Sequence, residues 1–468
     1  MNATRYTTLL SVLAFVGCSQ NSDVSPPATQ AGALHDATIG SAPSAQHARN
    51  NLRSLDGSSS KITHVVIIFQ ENRTTNNLFN LLPGADTSTT GRNSQGQIVR
   101  LRPISMTAPY DISHTHTAFT TEYADGAING FDQVFSKCLQ PSGCPPANVR
   151  AYGFVPRSEV EPYYTMALRY TFGKRMFQTN QGPSFPAHQY ILSGTSTVSD
   201  GSTLLASENP RTPAGDPTGG CDSPAGSLVT LIDPYGNENQ STYPCFDRNS
   251  LIQLVENASL SWRYYQAGTG PGLWHGPDAI QPVYSSSQFA TDVVSPPSQI
   301  LNDIPAGQLA NVVWVTPTDA ESDHAGGTDG TGPSWVASIV NAIGESSYWN
   351  NTAIFVTWDD WGGWYDPIAP KQYTSYELGF RVPLLVISPY AKLHYISPVQ
   401  HEFGSILKFT EETFNLGSLG TTDQRADDLA DCFDFNRPPA KFSPIPASRS
   451  REYFLKHPGP KKPPSDDL

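Results

Sequence analysis

Lys61-Ile62-Thr63-His64-Val65-Val66-Ile67-Ile68-Phe69-Gln70-Glu71-Asn72-Arg73, residues 61–73, runs from an unbroken apolar, β-branched stretch straight into a carboxylate and an amide. A continuous run without polar alternation predicts a strand buried on both faces, as in a parallel sheet. In open α/β sheets ligands bind beyond the carboxyl ends of the strands. Glu71 and Asn72 stand at such an end and offer two adjacent oxygen donors to a hard divalent cation. The same pair also suits a helix start, with Asn72 as the cap and Glu71 in solvent.

The pattern recurs downstream. Residues 311–316 and 352–358 are two further β-branched runs, and 382–387 is a fourth that Pro383 interrupts. Between and after them, residues 334–343 and 401–414 place apolar side chains at helical spacing. Strands alternating with helices predict a doubly wound, mostly parallel α/β sheet flanked by helices. Residues 200–305 are rich in Gly, Pro, Ser and Asn and read as long loop insertions beside the active end of the sheet. The aromatics there, Trp262, Tyr264, Tyr265 and Trp274, either pack inward or face a ligand.

The first residues read as an export signal. Arg5 supplies a short basic start, an apolar run follows, and residues 1–18 close on Phe15-Val16-Gly17-Cys18, similar to a bacterial lipoprotein cleavage box with Cys18 as the lipid-bearing residue. Simple secretion is the alternative, and both put the mature chain outside the cytoplasm. Residues 19–60 read as a flexible tether, 61–438 as the catalytic domain and 439–468 as an irregular tail. Cys138/Cys144 and Cys221/Cys245 lie in loops and suit two local disulfides, leaving Cys432 unpaired. Zinc is the rival reading, without a tight Cys/His spacing to carry it. A formal charge of −13 excludes broad nucleic-acid binding, while a small phosphorylated ligand remains compatible through a local metal ion.

Three further stretches carry chemistry. The run 352–358 ends in Asp359-Asp360, followed by Trp361-Gly362-Gly363. Adjacent carboxylates repel unless a cation lies beside them, or else they are solvated in a turn. Whether they meet Glu71 and Asn72 depends on the two strands being neighbours. Gly182-Pro183-Ser184 places a hydroxyl at the start of an apolar segment, as an N-cap or as a nucleophile beside a metal. His114, His116 and His324 lie in loops, suited to phosphate oxygens or a leaving group, or simply hydrogen-bonded in place.

Taken in order, Gln70-Glu71-Asn72-Arg73, Gly182-Pro183-Ser184, Ser322-Asp323-His324, Thr357-Trp358-Asp359-Asp360-Trp361-Gly362-Gly363 and Arg381-Val382-Pro383 resemble the bacterial phosphoesterase family of phosphatidylcholine-type phospholipases C and related extracellular acid phosphatases. The resemblance implies an alkaline-phosphatase-like core. It also implies one divalent metal ion held by Glu71, Asn72, Ser184, Asp359 and Asp360, with Ser184 as nucleophile. His324 and either His114 or His116 would meet the phosphate. Two departures are Asn76, where the family carries an Asp, and Asp360, where it commonly carries a Glu. The expected activity is phosphomonoester hydrolysis of the acid-phosphatase type. The alternatives are phospholipase C action on a phospholipid headgroup, and a lipid-anchored protein that binds a phosphorylated ligand without turnover.

Overall fold

The computed structural model describes residues 60–464 apart from Pro141. The expected leader, Cys18 and residues 19–59 of the tether lie outside the described residues. Eight strands build the central sheet: β1 (His64–Gln70), β2 (Thr171–Met176), β3 (Trp262–Tyr265), β4 (Val293–Val294), β5 (Val312–Val315), β6 (Thr352–Trp358), β7 (Leu384–Ile387) and β8 (Tyr395–His401). Their spatial order is β4-β3-β5-β1-β6-β7-β2-β8. Every pairing is parallel except the two made by β7, which runs against β6 and β2. The sheet is therefore mixed and mostly parallel, as the buried β-branched runs predict.

Side-chain parity divides the two faces, because successive residues of a strand point to opposite sides. On one face Phe69 meets Phe403, and Phe355 meets Phe409, both from α5 (Phe403–Phe414). Helix α3 (Ser184–Ser193) packs beside α5, and its His188 ring reaches Phe69. On the other face Trp358 meets Tyr163 of α2 (Glu161–Arg169), which packs on α4 (Gly332–Gly344). Val65, Val66, Ile68, Val312, Ile354 and Val356 are fully enclosed between these layers. Full burial of such side chains contributes about 1.5–3 kcal/mol each, which is why the unbroken apolar runs become the central strands.

Several elements differ from the sequence reading. Residues 200–305 are not loops alone: they supply β3 and β4, and Trp262, Tyr264 and Tyr265 are sheet residues buried in the core. His401 does not begin a helix. It ends β8, and α5 starts at Phe403 with Glu402 and Ser405 forming a reciprocal cap. Within 439–464 the chain forms a short helix, Arg451–Lys456, whose Phe454 is buried against Trp335. Cys138–Cys144 and Cys221–Cys245 are bonded, and Cys432 is a buried free thiol. No helix among the described residues is long and apolar enough to cross a membrane.

Candidate active site

β1 and β6 are neighbours, and their register sets Gln70 opposite Trp358. The chain therefore leaves both strands side by side at their carboxyl ends. The Asp359 N–H donates to Gln70 O at 3.0 Å, and the Asn72 N–H donates to Asp359 Oδ1 at 3.0 Å. Glu71, Asn72, Asp359 and Asp360 are all fully buried. Three carboxylates thus share one enclosed crevice, where like charges disfavour one another unless positive charge lies among them.

Ser184 joins them from above the sheet as the first residue of α3, following Pro183 at the cap. Its Oγ lies 3.4 Å from Glu71 Oε2 and 3.3 Å from Asp360 Oδ2. A hydroxyl has one proton and can donate to only one of two carboxylates. Asn72 Oδ1 and Asp359 Oδ2 are buried without a hydrogen-bond partner. A cluster of carboxylate, amide and hydroxyl oxygens, two of them unsatisfied, fits a hard divalent cation.

His188, four residues after Ser184, projects from the same face of α3. Its Nε2 lies 3.1 Å from Glu71 Oε1 and 4.0 Å from Asp359 Oδ2. Glu71, His188 and Asp359 together form a group with ligand atoms close enough to share an ion. Burial pushes the His188 ring down to about 4, against the opposing pull of Asp359, so the imidazole is neutral at pH 7. The sequence motifs alone assign His188 no role. The i, i+4 offset from Ser184 on a helix was the available signal.

His114 comes to this site and His116 does not. The His114 ring is held by Nδ1 on Ile112 O at 2.8 Å, while its Nε2 lies 2.9 Å from Asn72 Nδ2 and 3.8 Å from Asp360 Oδ2. With Nδ1–H donating to the carbonyl, Nε2 accepts from the Asn72 amide, which turns Asn72 Oδ1 away as the free acceptor. Thr115 caps the helix α1 (His116–Tyr123), so the backbone turns between the two histidines. His116 Nδ1 instead lies 3.2 Å from Glu238 Oε1, and its N–H donates to Glu208 Oε1 at 3.0 Å. A cavity of about 290 Å³ opens here, lined by Thr115, Pro183, Glu208 and Arg211 among others. Burial, reinforced by Glu238, pushes the Glu208 carboxyl up to about 8.

His324 arrives on the loop after β5, the neighbour of β1 on its other side. Its ring centroid is 6.1 Å from that of His114 and 6.1 Å from that of Trp274. Asp323 anchors this loop: its Oδ2 accepts from Tyr163 OH and Trp358 Nε1, each at 2.9 Å, and its carbonyl accepts from Arg73 Nε at 2.7 Å. Burial raises the Asp323 carboxyl to about 6, with Arg73 opposing. Asn76 is hydrogen-bonded to groups outside the cluster of proposed ligands. Its Oδ1 accepts from Ser88 N–H at 2.7 Å, and its own N–H donates to Asp366 Oδ2 at 3.2 Å.

The Phosphoesterase family model matches residues 62–417. A non-hemolytic phospholipase C of Burkholderia pseudomallei is 25% identical over 285 residues, which are 47% of this chain and 40% of that protein. Phospholipase C A of Mycobacterium tuberculosis is 24% identical over 444 residues, covering 82% of this chain and 79% of its own length. The chain thus spans less than half of the first relative and most of the second. Among solved structures, a protein in the alkaline phosphatase superfamily from Vibrio parahaemolyticus aligns over 82% of this chain and 72% of its own, with 11% identity and a TM-score of 0.36.

Proposed function

This chain belongs to the Phosphoesterase family, and we propose that it hydrolyses phosphoric esters, with Ser184 as its nucleophile and with Glu71, Asn72, Asp359 and Asp360, together with Ser184, holding one divalent metal ion. The observation that carries this reading is the position of Ser184 Oγ, 3.4 Å from Glu71 Oε2 and 3.3 Å from Asp360 Oδ2, beside oxygens that lack partners. A bound divalent ion supplies two things there: a lower pKa for the Ser184 hydroxyl and compensation of charge on the phosphoryl oxygens.

Ser184 passes its proton to the Glu71 or Asp360 carboxylate beside it and attacks phosphorus in line; the bond from phosphorus to the ester oxygen breaks, that oxygen takes up a proton and leaves as an alcohol, and the serine is left phosphorylated. Water then attacks the phosphoserine and returns the free hydroxyl with release of phosphate. His114 holds the Asn72 amide by its Nε2, and His324 is assigned to protonate the leaving oxygen. The buried crevice excludes bulk water, so each of these interactions acts in a low dielectric. The cavity beside Pro183 takes the alcohol half of the ester. The two disulfides support a workplace outside the cytoplasm. Residues 61–438 are read as the catalytic domain, and a lipid anchor at Cys18 belongs to the same proposal.

Phosphomonoesters are the first substrate class proposed. Phospholipid headgroup esters are the second, supported by the phospholipase C names of the relatives and by exposed apolar side chains near the site. Phe135 is 66% exposed, and its carbonyl accepts from Ser113, next to His114. Leu228 is 51% exposed at the rim of the cavity.

The test compares phosphate release from an aryl phosphomonoester with phosphocholine release from phosphatidylcholine vesicles, with and without chelator, for the parent and Ser184→Ala. Turnover abolished by both treatments is expected, and the preferred substrate decides between the two classes. Turnover that survives chelation sinks the metal assignment, and turnover that survives Ser184→Ala sinks the nucleophile. Ligand binding without any turnover supports the non-catalytic alternative.

A further inference from the structure

A second group of metal-ligating side chains lies at the far edge of the sheet, on β8 and the segment that follows α5. His401, the last residue of β8, is buried, as is Cys432, and their ligand atoms lie close to those of Asp431. Cys432 Sγ is 3.4 Å from Asp431 Oδ1, and His401 Nε2 is 3.9 Å from the same oxygen. A tetrahedral zinc ion with bonds of about 2.0–2.3 Å separates its ligand atoms by about 3.3–3.8 Å. The Cys432–Asp431 spacing falls within that range, the His401–Asp431 spacing lies just beyond it, and all three ligand atoms lie within 4.8 Å of one another.

The hydrogen bonds around His401 sharpen the point. Its Nδ1 pairs with Asp427 Oδ1, the carboxylate–histidine arrangement that fixes a metal-binding imidazole with Nε2 as the donor atom. Nε2 lies 2.9 Å from Ser397 Oγ, and that hydroxyl donates its proton to Asp431 Oδ2 at 2.6 Å. A neutral His401 that donates from Nδ1 therefore presents an Nε2 lone pair to an oxygen whose proton is already committed. Positive charge at Nε2 resolves the conflict, either a proton or a cation. The Cys432 thiol on the other oxygen of Asp431 favours the cation, because sulfur, imidazole and carboxylate together form a donor set suited to zinc. The Asp431 side chain is 22% exposed, which leaves a path for an ion to enter.

We propose that His401, Asp431 and Cys432 form a structural zinc site, with Asp427 orienting His401 and Ser397 or water as the fourth ligand. The ion staples the edge strand β8 to the segment 427–432. It is separate from the catalytic crevice, whose donors are oxygens and one histidine and include no thiol.

The experiment loads the purified chain with Co²⁺ and records thiolate-to-cobalt charge-transfer absorption in the near ultraviolet. The other four cysteines among the described residues are in disulfides, and Cys18 lies outside the described residues, so loss of the band in Cys432→Ser is what assigns it to Cys432. The band is expected in the parent, and Zn²⁺ is expected to displace it. Cys432→Ser should remove it, and Glu71→Gln, which alters only the catalytic crevice, should leave it in place. Metal analysis after dialysis against Zn²⁺ should find one ion fewer per chain in Cys432→Ser than in the parent. If Cys432→Ser does not fold, His401→Gln serves as the second variant with the same two readouts. Absence of a thiolate band in the parent, or a band and zinc content unchanged in both variants, overturns the proposal.

Discussion

Gly362 offers the sharpest test of how the crevice is built. It follows Asp359-Asp360 with φ +60, and a Cβ added there would lie 2.3 Å from Asn72 O and 2.8 Å from Asn72 Cβ. Both are atoms of a proposed metal ligand, and the carbonyl is backbone that no rotamer change can move. Restoring ordinary contact requires a displacement of roughly 1 Å. Errors of that size in a reacting geometry cost on the order of 100-fold, which is about 2.7 kcal/mol in the barrier. The left-handed dihedral itself costs an alanine about 1–2 kcal/mol of stability. Gly307 separates the two effects: it has φ +75 with nothing within 4 Å of its added Cβ, and it precedes β5 at the amino end of that strand, away from the crevice. Gly307→Ala should lower Tm by a few degrees and leave kcat/KM unchanged. Gly362→Ala should lower kcat/KM on the order of 100-fold and weaken metal binding by chelator competition. Parent-like kcat/KM and metal affinity in Gly362→Ala would refute the contact between this turn and Asn72 as the element that holds the ligands.

Three other outcomes follow from named contacts. His188→Ala removes the ring 3.1 Å from Glu71 Oε1 and should weaken metal affinity about 10–100-fold, read by chelator competition, whereas a histidine that only fills the core would change Tm alone. Glu208 is held up at about 8 against an ordinary 4.5, so the folded chain binds a proton there that the unfolded chain releases. Its stabilising contribution is complete below pH 4.5 and is lost as pH rises through about 8, each tenfold of proton affinity being worth about 1.4 kcal/mol. Glu208→Gln should flatten the decline of Tm across that window, and an unchanged slope contradicts the assignment. Asp366→Ala strands the buried Arg381 guanidinium, now paired by Nε at 2.8 Å and Nη2 at 3.0 Å, and should cost about 3–5 kcal/mol in urea unfolding. Adding Arg381→Met should recover part of it, and a double variant no better than the single would show that the pair is not coupled.

What could be read from the sequence divides by how a strand is buried. β1, β5 and β6 lie in the middle of the sheet, so both faces must be apolar and the runs are unbroken. β2, Thr-Phe-Gly-Lys-Arg-Met, carries two cations and a glycine, and β8 carries Pro398 within an irregular pairing at the sheet edge. Neither has a periodic signal. β3 is four residues of aromatics and one arginine inside a loop-rich stretch, and its aromatic side chains are explained equally well by a ligand surface until its parallel pairing with β5 is known.

The same division runs through the site. A residue at the carboxyl end of a buried strand is locally legible, which is why Glu71, Asn72, Asp359 and Asp360 stand out. Their convergence is not local: it rests on β1 and β6 pairing across nearly three hundred residues, with Gln70 level with Trp358. Ser184 lacks even the local signal, since a serine at a helix start is ordinarily a cap, and only the ordered motifs of the family distinguish it. Once α3 is known to begin at Ser184, however, His188 follows from helical spacing alone, because one turn separates them. His114 and His116 show the opposite limit. Two residues apart in a strand would point the same way, but the Thr115 cap turns the chain between them, sending one ring to Asn72 and the other to Glu238. A crevice assembled from strand ends is therefore half visible in sequence. The carboxylates are marked by where they sit, and the histidines by turns that appear only once the chain has folded.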